Sequence, residues 1–421
     1  MSQTTNSCSY ISFSRSLQIA LFPLLWLSVS SLVAQNWVTS GFDAPMTSGG
    51  PPPPKAGRTL NAGPVGVSLG VGAGLDYTDN VRVETSGHDG LTAEGSLTFD
   101  AHYRFTKIQE LSLSGAIRNR IPIFGPGKQL NQFSVSPGSA LRFTVYVRAV
   151  RISPFLRYTR SLDPVAVAVV SNTEILDQST LSPGVQVDLG LRKANLSLLV
   201  MSQMRSQKSD SSQKKSARSD SIAFRVSHSV SSTLTADLSI ATSSSSIKNG
   251  PATGSRSTSA SGLLNWIISR NIRLSGQVGG ELTRYFHSRV TGDVARNLDP
   301  TVSLSVDHRI RPAFSYSLLL AQSIHEGVGT NYYVTKDMAV SPTYQMTKSA
   351  SLRVTVDWLS IRESGPTGEV GRRRNYALGF LVATKANASL QVSFSHSEKT
   401  STLAERAYRQ NRITISVRKE L

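Results

Sequence analysis

The sequence predicts an all-β fold: a transmembrane antiparallel up-and-down β-barrel of about 18 strands, inside the range of about 16–18 at which a barrel encloses an aqueous lumen. Three observations predict it. From residue 64 onward the hydropathy alternates with a period of two, and no stretch has convincing helical periodicity. The connections alternate between tight turns and long loops. Aromatic residues gather near both ends of the strands. The composition of the 421-residue chain excludes several alternatives. Charged residues make up 17%, against about 25% in soluble domains. Mean hydropathy is −0.14. Only one apolar run is long enough to resemble a membrane helix, and it lies at the N-terminus, which excludes a multi-spanning helical protein. A single cysteine excludes a disulfide scaffold and a cysteine-built zinc site.

Taken in order, residues 1–34 read as a cleavable export signal. Arg15 and the amino terminus supply the positive region, residues 17–34 are apolar or small, and Leu32-Val33-Ala34 offers the cleavage site. Pro23 and the serines weigh against an uncleaved anchor helix. Cys8 precedes the apolar run, so it is not the cysteine of a lipoprotein. Residues 35–63 read as a disordered periplasmic linker: Ser48-Gly49-Gly50 and the prolines at 51–54 bury too little apolar surface to offset the entropy of ordering. Residues 64–421 are the barrel.

Within the barrel, Val65, Val67, Leu69, Val71, Ala73, Leu75 and Tyr77 alternate with glycines and polar residues. Leu97, Phe99, Ala101, Tyr103 and Phe105 alternate with Ser96, Thr98, Asp100, His102 and Arg104, and the pattern returns as far as Ile413, Ile415 and Val417. Such strands have one apolar and one polar face. Tight turns include Thr106-Lys107-Ile108-Gln109, Arg192-Lys193-Ala194, Arg270-Asn271 and Thr347-Lys348-Ser349. Turn centres recur roughly every 40 residues, which fits one long hairpin and not the four short strands of a propeller blade. Strands of this length with turns on one end and loops on the other fit a membrane barrel, whose closure removes the unpaired edges that lipid does not tolerate. Tyr77, Tyr158, Tyr285, Phe286, Tyr332, Tyr333, Tyr376 and Tyr408 would form a girdle at the loop end. Tyr103, Phe105, Phe143, Phe314, Tyr316 and Tyr344 would form one at the turn end.

An export signal, a Pro-rich spacer, the first-strand motif Leu75-Asp76-Tyr77-Thr78-Asp79-Asn80-Val81 and the long two-residue-periodic body together resemble the β-barrel porins of Gram-negative outer membranes. Members with this motif often accompany exopolysaccharide export, so the resemblance implies an outer-membrane location and that context. It covers residues 64–421. The chain ends in Leu421, where such barrels usually end in an aromatic residue.

Several tempting motifs lack their context. Gly66-Val67-Ser68-Leu69-Gly70 matches a nucleophile elbow, but Ser68 lies inside an alternating strand with no helix after it. Gly70-Val71-Gly72-Ala73-Gly74 has the wrong spacing for a dinucleotide loop, and its glycines keep one strand face small. His396 on an apolar-face parity among serines gives a weak hint of an outer-membrane hydrolase. The seven histidines form no metal-binding spacing, and neither a cofactor nor a metal is expected.

The charge of +18 and pI near 10.2 raise nucleic-acid binding, but an exported chain without aromatic stacking sets makes nucleic acid an unsuitable partner. Lys208, Lys214, Lys215 and Arg218 in one long loop, and Arg372, Arg373 and Arg374 beside another, are instead candidate contacts for anionic lipopolysaccharide. By alternation Arg104, Arg118, Arg120, Arg142, Arg151, Arg157, Arg205, Arg225, Arg273, Arg353 and Arg412 face the lumen. So do Glu94, Asp100, Asp188, Asp237, Glu281, Asp307 and Asp357, with Arg353 and Asp357 as a candidate pair on one strand. The basic excess would bias a pore toward anions. The expectation is therefore a non-enzymatic outer-membrane channel, weakly anion-preferring, for small or sugar-like solutes. Outer-membrane lipid, lipopolysaccharide, the barrel-assembly machinery and exopolysaccharide-export components are the expected partners. A non-conducting docking barrel is the alternative, and an outer-membrane hydrolase a lesser one.

Overall fold

The computed structural model describes residues 60–81, 87–125, 132–136, 138–161, 177–208, 215–248, 252–287, 292, 295–326, 330–366, 368–384 and 387–421. Residues 1–34, read as an export signal, most of residues 35–63, read as a linker, and Lys214 lie outside the described residues. Alternating segments form long strands because their β-branched, aromatic and hydroxyl side chains suit a pleated surface. In chain order these are β1 (Leu60–Ala62), β2 (Val65–Thr78), β3 (Gly90–Thr106), β4 (Gln109–Phe124), β5 (Gln132–Val135), β6 (Ala140–Val147) and β7 (Val150–Ser161). Then come β8 (Asp177–Gly190), β9 (Ala194–Lys208), β10 (Lys215–Ser229), β11 (Leu234–Lys248), β12 (Gly254–Ile267) and β13 (Ile272–Phe286). The last are β14 (Arg296–Arg311), β15 (Phe314–Glu326), β16 (Tyr332–Gln345), β17 (Ala350–Glu363), β18 (Val370–Ala383), β19 (Ala388–Ser401) and β20 (Tyr408–Glu420).

Each strand pairs antiparallel with its sequence neighbours, and β2 pairs with β20, so the sheet closes on itself. β5 and β6 both lie against β4 and β7 and act as one interrupted strand, which makes an 18-strand wall with β1 as an addition. The expected barrel and strand number are borne out. The first boundary shifts, however: residues 60–62, read as linker, form β1. Gly63 adopts φ of 62° and lets the chain turn tightly, so that Leu60 pairs with Val67. β20 covers β2 only from Gly70 upward, and β1 covers the edge below it. An uncovered edge there would offer unpaired backbone groups.

The burial is inverted relative to a water-soluble domain. Large apolar residues are exposed, among them Val278 at 64%, Leu238 at 54% and Val417 at 49%. Polar residues dominate what is buried among the described residues, including Asp188, Gln186, Ser153 and Glu369. Directly paired residues share a sheet face, so the registers divide the wall into an outer apolar face and an inner polar one. All six turn-end aromatics carry the outward parity, and Tyr103 meets Phe105 edge-on at 4.6 Å. The loop-end girdle is smaller than expected: Tyr285, Tyr333 and Tyr408 take the inward parity, the last two buried. Alternation, not proximity to a strand end, decides the face.

The glycines of β2 make room for side chains leaning from β3. A Cβ at Gly72 would stand 2.5 Å from Ser96 Oγ. Ser68 faces inward opposite Asp100, whereas His396 faces outward and pairs with Asn411. The two residues of the hydrolase expectation are thus on opposite sides of the wall.

Candidate functional site

The inner wall has three distinct zones. The first is the seam between β2 and β20, built by the first-strand motif. Asp76 accepts two hydrogen bonds from Arg412, at 2.7 and 2.6 Å, and a third from Thr414 at 3.0 Å. On the outward parity of the same seam, Asp79 accepts from the Asn411 backbone N–H at 2.7 Å and from its side-chain amide at 2.6 Å. Asn80 donates to the Arg409 carbonyl at 2.8 Å, and Gln410 donates to the Asn80 carbonyl at 2.7 Å. The motif that carried the sequence resemblance therefore fastens the first strand to the last.

The second zone is a charged rim at the loop end of β17–β20. Lys399 Nζ meets Glu369 Oε1 at 2.8 Å with both side chains fully buried. Arg406, in a single 3₁₀ turn at Ala404–Arg406, reaches Glu363 at 2.9 Å and Glu369 at 3.1 Å. Burial pulls the Arg406 guanidinium toward its neutral form, but the two carboxylates outweigh it and its pKa is raised. Sequence reading missed Glu363, Glu369, Lys399 and Arg406, because two of them lie in loops where alternation gives no parity.

The third zone is a hydroxyl wall on β11, β12 and β13. Ser239 and Ser261 pair at 2.8 Å, and Ser245 and Ser255 at 2.7 Å. Ser257 and Thr283 donate to Glu281 Oε1 at 2.8 and 3.0 Å, and Gln277 donates to Ser261 at 3.2 Å. Ser245, Ser255, Ser257, Ser261, Glu281 and Thr283 line, with Arg205, Tyr285 and His325, a recess of about 180 Å³. His325 is held by Thr335 at 2.9 Å and stacks on Tyr333 with centroids 4.8 Å apart.

The expected lumen residues fall on the inner parity of this wall. Arg104 pairs with Glu110 at 3.3 Å, Arg118 and Arg120 share Glu94 at 3.1 and 3.0 Å, and Arg151 meets Asp188 at 2.8 Å. Arg225 pairs with Asp237. Arg273 is the cross-strand neighbour of Asp307, and Asp100 lies between Ser68 and Ser114. Arg142 lies opposite Ser112, and Arg353 opposite Thr343. Arg157 covers the Phe155 ring at 4.4 Å, beside an inward apolar cluster of Phe155, Leu199, Met201, Ala223 and Ala241. The expected Arg353–Asp357 pair does not form. Four residues along a strand separate two groups by about 13 Å, and Asp357 is paired across the sheet by Arg373 at 3.3 Å.

That contact also corrects the surface set. Arg372 and Arg374 are exposed on the outer face, but Arg373 alternates inward and is a wall residue. Arg218 is exposed and pairs with Asp220 at 3.4 Å. Lys208 and Lys215 contribute backbone to β9 and β10, and their side chains lie outside the described residues.

No family model and no curated protein matches the chain. Solved structures do resemble it. The outer membrane protein OpdK of Pseudomonas aeruginosa superposes with a TM-score of 0.53 at 12% identity, over 84% of this chain and 99% of that one. A BenF-like porin of Pseudomonas fluorescens Pf-5 gives 0.52 at 10% identity, over 84% and 99%. OccK2 (OpdF) of P. aeruginosa, solved in complex with glucuronate, gives 0.51 at 13% identity, over 85% and 98%. At such identities the likeness is one of fold: the chain folds as these 18-strand outer-membrane porins do.

Proposed function

We propose that the protein is an outer-membrane porin-like channel, exported by its N-terminal signal and passing small or sugar-like solutes with a weak preference for anions. The observation that carries this reading is the inversion of the wall, apolar outside and hydroxyl-rich or charged inside, on a closed barrel. A lumen edged by serines and glutamate-bound hydroxyls exchanges hydrogen bonds with a polyol as readily as with water. Inward arginines supply the anion preference, and the inward Asp76, Glu110, Asp299 and Asp337 temper it. The glucuronate bound to OccK2 is a sugar carboxylate, and carried to this chain it suits both features. The reading includes no covalent chemistry. The barrel-assembly machinery and lipopolysaccharide are its proposed partners, the latter through Arg372 and Arg374.

The test is to refold the mature chain into planar bilayers and measure conductance and reversal potential in a salt gradient. Stepwise channels with a modest anion preference are expected. An unchanged ion preference after replacing Arg205, Arg273 and Arg353 by Gln would overturn the charge argument.

A second reading, a plugged docking barrel in an envelope or exopolysaccharide-export assembly, is favoured by the enclosure of inward side chains such as Leu199 at 1% and Ile361 at 0% exposure. A folded barrel that is silent in the same bilayers would support it.

A further inference from the structure

Outside the barrel, one sector departs from the apolar pattern. Ser202, Asp220, Ser244, Arg256, Arg284 and Arg296 are successive cross-strand partners from β9 to β14, so they form one row around the outer face. The row lies near the loop ends of the strands, just above the outward Val200, Ile222, Leu282 and Leu298. The three arginines are exposed, and among the described residues no carboxylate stands within ion-pair distance of them. The one acid of the row, Asp220, is already matched by Arg218 at 3.4 Å.

A second feature adjoins the row. A groove of about 700 Å³ at β8–β12 has the outward Pro183, Val185, Val200 and Ile222 in its apolar part and Ser202, Asp220, Ser244 and Arg256 in its polar part, with the inward Phe155 and Met201 also lining it. Its origin is legible. Pro183 has no N–H to donate, and the β8–β9 pairing passes from Leu181–Met204 to Gly184–Met201 without partners between. Beside this break, Ser202, Thr242 and Ser244 are too short to fill the surface.

An apolar trough leading to unmatched guanidinium groups has the form of a lipid with an anionic head. We infer that this sector is a seat for one phosphorylated lipid of the outer leaflet, with an acyl chain along Val185, Val200 and Ile222 and its phosphates on Arg256, Arg284 and Arg296. Adjacent strands are about 4.8 Å apart, so the three guanidinium groups span about 10 Å, wide enough for two phosphates on one headgroup. Arginine matches phosphate through paired N–H donors. The inference rests on the outer-membrane reading and adds a site and an occupant to it.

The test uses the full mature chain refolded in detergent and counts, by native mass spectrometry, the bis-phosphorylated glycolipid retained after detergent exchange. The wild type is expected to hold one molecule and to release the dephosphorylated glycolipid. The R256Q/R284Q/R296Q variant should bind about 100-fold more weakly, the weight three cations carry near an anionic surface. S244W, which fills the trough and keeps every arginine, should also lose the lipid. Retention by the triple variant at the wild-type level would overturn the inference. So would full displacement of the lipid by millimolar inorganic phosphate, which would leave an anion site without a lipid seat. Bilayer conductance of the same preparations separates the two readings: conducting wild type without bound glycolipid defeats only the seat, while a chain that never inserts defeats the outer-membrane reading beneath it.

Discussion

The seam at β2–β20 and the hydroxyl wall of β11–β13 are parts of one sheet, with the same alternation and similar strand lengths, yet they are held differently. The seam joins strands more than 300 residues apart in sequence, and it uses a bidentate Asp76–Arg412 pair, hydrogen bonds donated by Asn80 and Gln410, and an Asp79 carboxylate that accepts from Asn411. The wall joins hairpin neighbours and uses neutral serine pairs. Local hairpins close with little loss of chain entropy, whereas joining distant segments costs more. Ion pairs also join hairpin neighbours elsewhere in the wall, as Arg151–Asp188 and Arg225–Asp237 do, but at β11–β13 the neutral pairs suffice, whereas the closing seam adds a bidentate pair to its amide bonds.

This contrast is broken or sharpened first at the seam. Asp76→Ala removes one partner of an enclosed ion pair and leaves Arg412 without its bidentate acceptor. The expected loss is about 3–5 kcal/mol, read as a lower urea midpoint for the heat-modifiable gel shift of the refolded barrel. A midpoint equal to that of the wild type would remove the distinction between seam and wall. The charged rim should come next. Lys399→Met leaves Glu369 with Arg406 alone, in a site where both Lys399 and Glu369 are fully buried. A loss of about 3 kcal/mol is expected, with much of it regained in Lys399→Met/Glu369→Met, because removing both charges also removes their desolvation cost. If the double variant is no better than the single, the rim depends on its charge and not merely on filled space.

The sequence resolves this contrast only in part, and the reason is physical. A period of two reveals which residues share a face, so the barrel, its strand number and the inner parity of Arg151, Asp188 and Asp237 were legible. It carries no register. The partner of Asp76 is 336 positions away, and nothing local distinguishes Arg412 from other inward arginines. Arg353 and Asp357 looked like partners because they are close in sequence, but the sheet brings Arg373 to Asp357 instead. The basic run 372–374 read as one surface patch, although alternation sends its middle member inward. β1 escaped because three residues are too few to show a period.

The lumen offers a test in the other direction. Glu281 is the acid of the hydroxyl wall, accepting from Ser257 and Thr283. Glu281→Gln keeps the shape and removes one negative charge, so reversal potentials should move toward stronger anion preference. The shift should be at most about fivefold, since two charges at about 4 Å in water interact by only ~1 kcal/mol. No shift would mean that permeating ions do not approach this wall.

The smallest effect is expected from the serine pairs themselves. Ser239→Ala leaves Ser261 with Gln277 as donor and water as a further partner, because Ser261 lies on the open inner face. A neutral hydrogen bond contributes about 0.5–1.5 kcal/mol net, and a lumen that supplies replacement bonds should put this one at the low end. The same urea midpoint should therefore barely move, while single-channel conductance stays within the scatter of the wild type. A large destabilisation would show that the hydroxyl pairs brace the sheet as the seam does, and the division of labour between charged closure and neutral lining would then fail at its weakest point.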